Sequence, residues 1–119
     1  MEDVLKDKSY FFALRVVKLC KHLRSRHNEY VLSKQVLRSG TSIGALVLVR
    51  EAKYAQSPKD FIDKLSVSLK EANETDYWLG LLKDSGYITI DMYESIEPDV
   101  VELMKILTSS INTTRENLK

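Results

Sequence analysis

Leu5, Ser9, Phe12, Val16, Leu19 and Leu23 recur at alternating steps of four and three, which puts them on one stripe of a helix from about residue 3 to residue 26. Ala13, Val17 and Cys20 would widen that stripe. Arg24 to Tyr30 breaks the rhythm with loop-favouring residues, so a second helix is expected from Val31 or Ser33. In it Ser39, Gly40, Ser42, Gly44 and Ala45 stand where Leu or Glu would be ordinary. A helical Gly costs about 1 kcal/mol against Ala, so two of them four apart imply close approach of another helix. A turn at Gly40-Thr-Ser is the competing reading.

Ser57-Pro58 has the form of an N-cap followed by Pro at the first helical position, with Asp60 suited to the positive helix end. Phe61, Leu65, Leu69, Ala72, Asp76, Leu79 and Leu82 predict a helix over 58–85, ended by Gly86. Thr89 caps a fourth helix carrying Met92, Ile96, Val100, Leu103 and Leu107. Pro98 interrupts that pattern. A Pro inside a helix costs about 3 kcal/mol, which predicts a kink near Glu94 or a fresh start at Pro98. Four helices with short connections make an all-α, antiparallel up-down-up-down four-helix bundle, with the 119 residues forming one domain.

Composition narrows the class: 44% hydrophobic and 29% charged, with four Gly and two Pro, fits a helical globular chain and not a disordered one. The charged N-terminus lacks the apolar core of a signal peptide, and no apolar run reaches the ~20 residues of a membrane span. A lone Cys20 cannot form an internal disulfide. These features predict a cytoplasmic protein with no membrane partner.

Chemistry-bearing motifs are absent from the pattern. A carboxylate-bridged metal in a bundle needs Glu-x-x-His pairs, and the residues three before His22 and His27 are Leu19 and Arg24. No phosphate loop, His-Glu-x-x-His helix or nucleophile elbow occurs either. The expectation is no enzyme, no metal and no cofactor.

Charge is segregated although the net is only +1. Arg15, Lys18, Lys21, Arg24, Arg26, Lys34 and Arg38 crowd one stretch that holds Glu29 as its only acid. Asp84, Asp91, Glu94, Glu97, Asp99 and Glu102 crowd another that holds no base. Lys18, Lys21, Arg24, Arg26, Lys34 and Arg38 could bind RNA or DNA phosphates at the corner between helices one and two, with Tyr30 available for stacking. In an up-down-up-down bundle, however, the acidic segment returns to the same pole and can neutralise the basic one. A dedicated nucleic-acid binder is usually far more basic.

Three blocks carry a family resemblance: Leu37-Arg-Ser-Gly-Thr-Ser-Ile-Gly-Ala45, Arg50-Glu-Ala-Lys-Tyr-Ala-Gln-Ser57 and Lys70-Glu-Ala-Asn-Glu-Thr-Asp-Tyr-Trp-Leu79. The chain resembles the four-helix bundle proteins of the 23S rRNA intervening-sequence type, and distantly the accessory protein of diversity-generating retroelements. The resemblance implies an antiparallel bundle of unsettled biological role, self-associating as a ring of five, and the retroelement relative implies nucleic-acid or protein partners. It also implies a polar network between helices or subunits drawn from Arg15, Arg38, Ser42, Glu51, Glu71 and Glu74. Phe11, Tyr54 and Trp78, outside the main stripes, are the candidate subunit contacts.

Two departures from the family pattern stand out. Family members pass from Ser-Ile-Gly-Ala to Arg-Glu-Ala through two residues, whereas Leu46-Val-Leu-Val49 fills that gap here. Two extra helical residues turn every later helical position by about 200°, so a bulge in the helix or a shifted loop before Ser57 is expected, and the role carried over to Glu51 is the one that depends on which occurs. Pro98 is the second. The functional classes left are a scaffold or adaptor protein and an RNA-binding protein using the basic corner.

Overall fold

Each predicted helix forms in the computed structural model, which describes residues 2–49 and 56–119: α1 Glu2–His27, α2 Val31–Val49, α3 Pro58–Asp84 and α4 Ile90–Asn117. The helices pack in sequence, α1 on α2, α2 on α3 and α3 on α4, and α4 returns against α1 to close an antiparallel bundle 50 × 21 × 20 Å. Among the described residues no helix is long and apolar enough to cross a membrane.

Capping explains where the helices begin and end. Asn28 takes a positive φ of 52°, and the Glu29 N–H reaches back to the Leu23 carbonyl at 3.0 Å, closing α1. The Glu29 carboxylate then accepts from the N–H groups of Val31 and Ser33, at 3.3 and 2.8 Å, so the one acid of the basic stretch is spent on starting α2. Ser57 accepts from the Asp60 N–H at 3.0 Å, and Asp60 accepts from the Gln56 N–H at 3.2 Å. Gly86 (φ 83°) turns the chain out of α3, where the Tyr87 N–H meets the Leu82 carbonyl at 2.9 Å. Thr89 accepts from the Met92 N–H at 3.1 Å to start α4.

The α1 stripe is buried as its spacing predicts: Leu5, Ser9, Phe12, Val16, Leu19 and Leu23 all lie in the core. Val17 does not widen it but points outward. On α2 the segment Gly40-Thr-Ser is helical, and the bare Gly40 backbone faces Val16 of α1 while Gly44 faces Ser9. The close approach thus belongs to the α1–α2 seam. Leu46 to Val49 continue α2 without interruption, with Val47 buried, so the extra pair is carried as helix through Val49.

Two expectations need correction. On α3 the buried stripe is Ile62, Leu65, Ser68, Ala72, Thr75, Leu79 and Leu82, so Ile62 takes the place expected for Phe61, and Ser68 and Thr75 occupy those expected for Leu69 and Asp76. Their hydroxyls are satisfied: Ser68 donates to the Ile43 carbonyl at 3.0 Å and Thr75 shares a 2.9 Å hydrogen bond with Ser39. Of the two outcomes expected on α4, a kink near Glu94 or a fresh start at Pro98, the fresh start does not occur: α4 runs as one helix through the proline from Ile90 to Asn117. Core residues Ile96 and Val100 flank the proline and hold both halves to the bundle. Arg15 of α1 also donates to the Ser95 carbonyl at 2.9 Å, in the turn that precedes the proline.

Candidate functional site

The residues expected to form one polar network divide into two clusters. The first lies across α2 and α3, where the Arg38 guanidinium forks between two carboxylates one turn apart: Nη1 to Glu71 Oε2 at 2.8 Å and Nη2 to Glu74 Oε2 at 2.5 Å. Spacing of three on α3 puts both acids on one face, opposite one arginine. The Glu71 side chain keeps only 12% of its exposure while that of Arg38 keeps half, so the fork is open on the arginine side. The hydrogen bond to Arg38 holds the Glu74 carboxyl below its ordinary range, and the bond to Glu74 raises Arg38. Ser42 stands one turn along from Arg38 and donates to its carbonyl at 2.6 Å, contributing no side-chain contact to the acids.

Arg15 belongs to the second cluster, on the α1–α4 seam. Its Nη1 meets Asp99 Oδ2 at 2.5 Å and its Nη2 meets Ser95 Oγ at 2.6 Å. Lys8 pairs with Glu102 at 2.9 Å two turns away. The acidic segment of α4 therefore pairs with two cations of α1, Lys8 and Arg15, the second of them from the basic stretch. Past Arg15 the helices part into an open groove of about 530 Å³ over Leu19, Met92 and Ile96, rimmed by Lys18 and His22.

The basic corner is only partly a free surface. Arg38 is taken by its two glutamates, Arg24 Nε donates to Ser33 Oγ at 2.9 Å, and Lys18 sits on the groove. Lys21, Arg26 and Lys34 are exposed and, among the described residues, have no carboxylate partner; Tyr30 is exposed at the same pole.

Of the candidate subunit contacts, Phe11 stands 64% exposed on α1. Tyr10, Leu14 and Val17 are exposed beside it, and the Tyr10 ring lies edge-on to Phe11 with centroids 6.4 Å apart. Steps of three and four from 10 and 11 to 14 and 17 make a second apolar stripe on the outer face of α1. That stripe is legible in the spacing, but Val17 lets it merge with the core stripe. Trp78 is half-buried against the core, with Tyr77 outside it. Glu51 and Tyr54 lie outside the described residues. Among the described residues no three His, Cys, Asp or Glu side chains converge as a metal would require.

Residues 3–109 match the protein family described as 23S rRNA-intervening sequence protein. Among solved structures the chain is similar to a protein of unknown function from the S23 ribosomal protein family of Bacteroides thetaiotaomicron. The two are 56% identical over 93% of this chain and 97% of that one, with a TM-score of 0.88. None of the curated proteins matches it.

Proposed function

The chain belongs to the 23S rRNA-intervening sequence protein family, and from that premise we propose that it is a non-enzymatic, self-associating bundle that serves as a cytoplasmic scaffold or adaptor. The observation that carries this reading is the outward stripe of Tyr10, Phe11, Leu14 and Val17. Four adjacent apolar side chains left to water on one helix exceed the scattered single residues of an ordinary monomer surface and fit a contact that another chain covers. The assembly is a homopentamer, following the ring of five that the family resemblance implies. The networks at Arg38 and Arg15 serve to set helix register, their charges being paired to one another across the helix seams.

Phe11→Glu combined with Leu14→Glu tests the contact, because both side chains are solvent-facing and the core does not depend on them. Native mass spectrometry should give pentamer for the parent chain and monomer for the variant, with unchanged helical circular dichroism. A variant that assembles as the parent does removes α1 from the contact.

A second reading is favoured by the exposed, unpaired Lys21, Arg26 and Lys34 around Tyr30: RNA binding at that pole. Binding to a single-stranded RNA should then weaken steeply with salt and be lost on reversing Arg24 and Arg26 to Glu. Binding that survives the reversal at low salt rules the corner out.

A further inference from the structure

A ring of five cannot be built from a single self-matching face. Every cyclic assembly larger than a dimer joins its subunits head to tail, so the α1 stripe of Tyr10, Phe11, Leu14 and Val17 has to meet a different surface of the next copy. In a ring of five the two contact faces of each subunit point about 108° apart. Helices adjacent in a four-helix bundle face about 90° apart, and diagonal ones about 180° apart. Because α1 packs against α2 and α4, with α3 diagonal to it, the receiving surface belongs to α2 or α4.

The outer side of α2 presents charge: Lys34 and Arg38 are exposed there, and Arg38 is turned to Glu71 and Glu74 of α3. On α4 an open groove of about 630 Å³ runs over Val101 and Met104, past Lys105 and Thr108, to Asn112. Those steps of three and four follow one helix face, the spacing by which a second helix is seated. Among the described residues that line the groove, Lys105 is the one charge. In a chain with 29% charged residues, that is the composition of a contact core and not of a solvated face.

Contacts within the chain fix the level of α1 against α4: Lys8 meets Glu102 at 2.9 Å, and Arg15 meets the Ser95 carbonyl at 2.9 Å. A closed ring has no rise from one copy to the next, so bundles standing side by side bring equal levels together. By that register Tyr10 and Phe11 of one copy come within a turn of Val101 of the next, Asp7 within a turn of Lys105, and Lys18 within a turn of Glu94. These four charged residues are exposed and, among the described residues, have no ion-pair partner within their own chain. Opposite signs therefore meet at both ends of the stripe.

Resting on the assembly reading above, we propose that the α1 stripe of one copy seats in the α4 groove of the next, so that the subunit contact pairs two different faces of the chain. Native mass spectrometry of two variants and of their mixture tests this. Phe11→Glu with Leu14→Glu spoils the α1 face and leaves the groove; Val101→Glu with Thr108→Glu spoils the groove and leaves α1. Each alone should be a monomer of about 13.7 kDa with unchanged helical circular dichroism. Mixed, they should form a pair of twice that mass and nothing larger, because one sound contact remains between them. A groove variant that assembles as the parent does, or two variants that stay apart on mixing, overturns the pairing. Asp7→Lys and Lys105→Glu give a second arm on exposed side chains. Each alone should lower the assembled fraction and both in one chain should restore it, whereas a double variant no better than either single overturns the pairing. A parent chain that is itself monomeric fails the assembly reading first, and the pairing with it.

Discussion

An alanine at position 40 would place its methyl carbon 2.8 Å from Val16 Cγ2 and 3.0 Å from Val16 Cγ1. Val16 is wholly buried on α1, and a β-branched side chain in a helix has essentially one χ1 well, so it cannot swing aside. Helix propensity favours alanine by about 0.8–1.0 kcal/mol, while an extra methyl forced into a packed seam costs about 1–3 kcal/mol. The net for Gly40→Ala is a loss of about 1 kcal/mol. Gly80 is the internal control, since a methyl there meets nothing within 4 Å and Gly80→Ala should gain about 1 kcal/mol from propensity alone. The two glycine-to-alanine changes, both within helices, thus differ by about 2 kcal/mol, or roughly 30-fold in folding constant. Urea unfolding followed by circular dichroism, at one subunit concentration so that assembly does not shift the midpoint, measures both. Adding Val16→Ala should leave Gly40→Ala less harmful than in the parent background, a coupling that a double-mutant cycle exposes. If Gly40→Ala stabilises the protein as much as Gly80→Ala, the close approach of α1 and α2 is not what the glycine serves.

Arg38→Met should cost about 1 kcal/mol at neutral pH in the same assay: the fork is half-exposed at the arginine, but Glu71 is left with little water to replace it. Because Arg38 holds Glu74 below 4.5, that part of the stability is present above pH 4.5 and is lost as pH falls through the folded value. The acid-side slope of stability should accordingly flatten in Arg38→Met, and an unchanged slope would sever the two residues. Cys20 is buried and its Sγ sits 3.4 Å from the Ser33 carbonyl; burial raises its thiol above the ordinary value. An aromatic disulfide reagent at pH 8 should therefore react with it at the rate of unfolding in native buffer and at once in urea. Rapid labelling of the native chain would contradict that packing.

The fold was legible where local chemistry decides it. Ser57-Pro58, Thr89 and Gly86 mark helix ends because a hydroxyl acceptor, a fixed φ and a missing Cβ act within four residues of themselves, and all three ends fall where the sequence puts them. Gly40 and Gly44 were legible as a contact by their cost alone. The features that were not legible depend on partners far along the chain. Ser68 and Thr75 are in the core because α2 brings the Ile43 carbonyl and the Ser39 hydroxyl to them, and no periodicity in α3 announces that. Leu69 and Asp76, the more and less apolar neighbours, drew the stripe one position too far. Pro98 reads locally as a break, yet packing of Ile96 and Val100 on both sides keeps α4 whole. The family resemblance groups Arg15 with Arg38, while its acid partner lies 84 positions away on α4. On the outer face of α1, Phe11 is legible as lying outside the core stripe, but Tyr10 and Leu14 are not, because a helix with two apolar stripes reads as one wide stripe.

The central claim is that this bundle acts as an assembled, non-enzymatic body. Native mass spectrometry of the freshly purified chain at low salt measures it most directly, since one spectrum gives both stoichiometry and any nucleic acid carried along. The account predicts a bare species near 68 kDa, five copies of the 13.7 kDa chain. A 13.7 kDa monomer at micromolar concentration would contradict it.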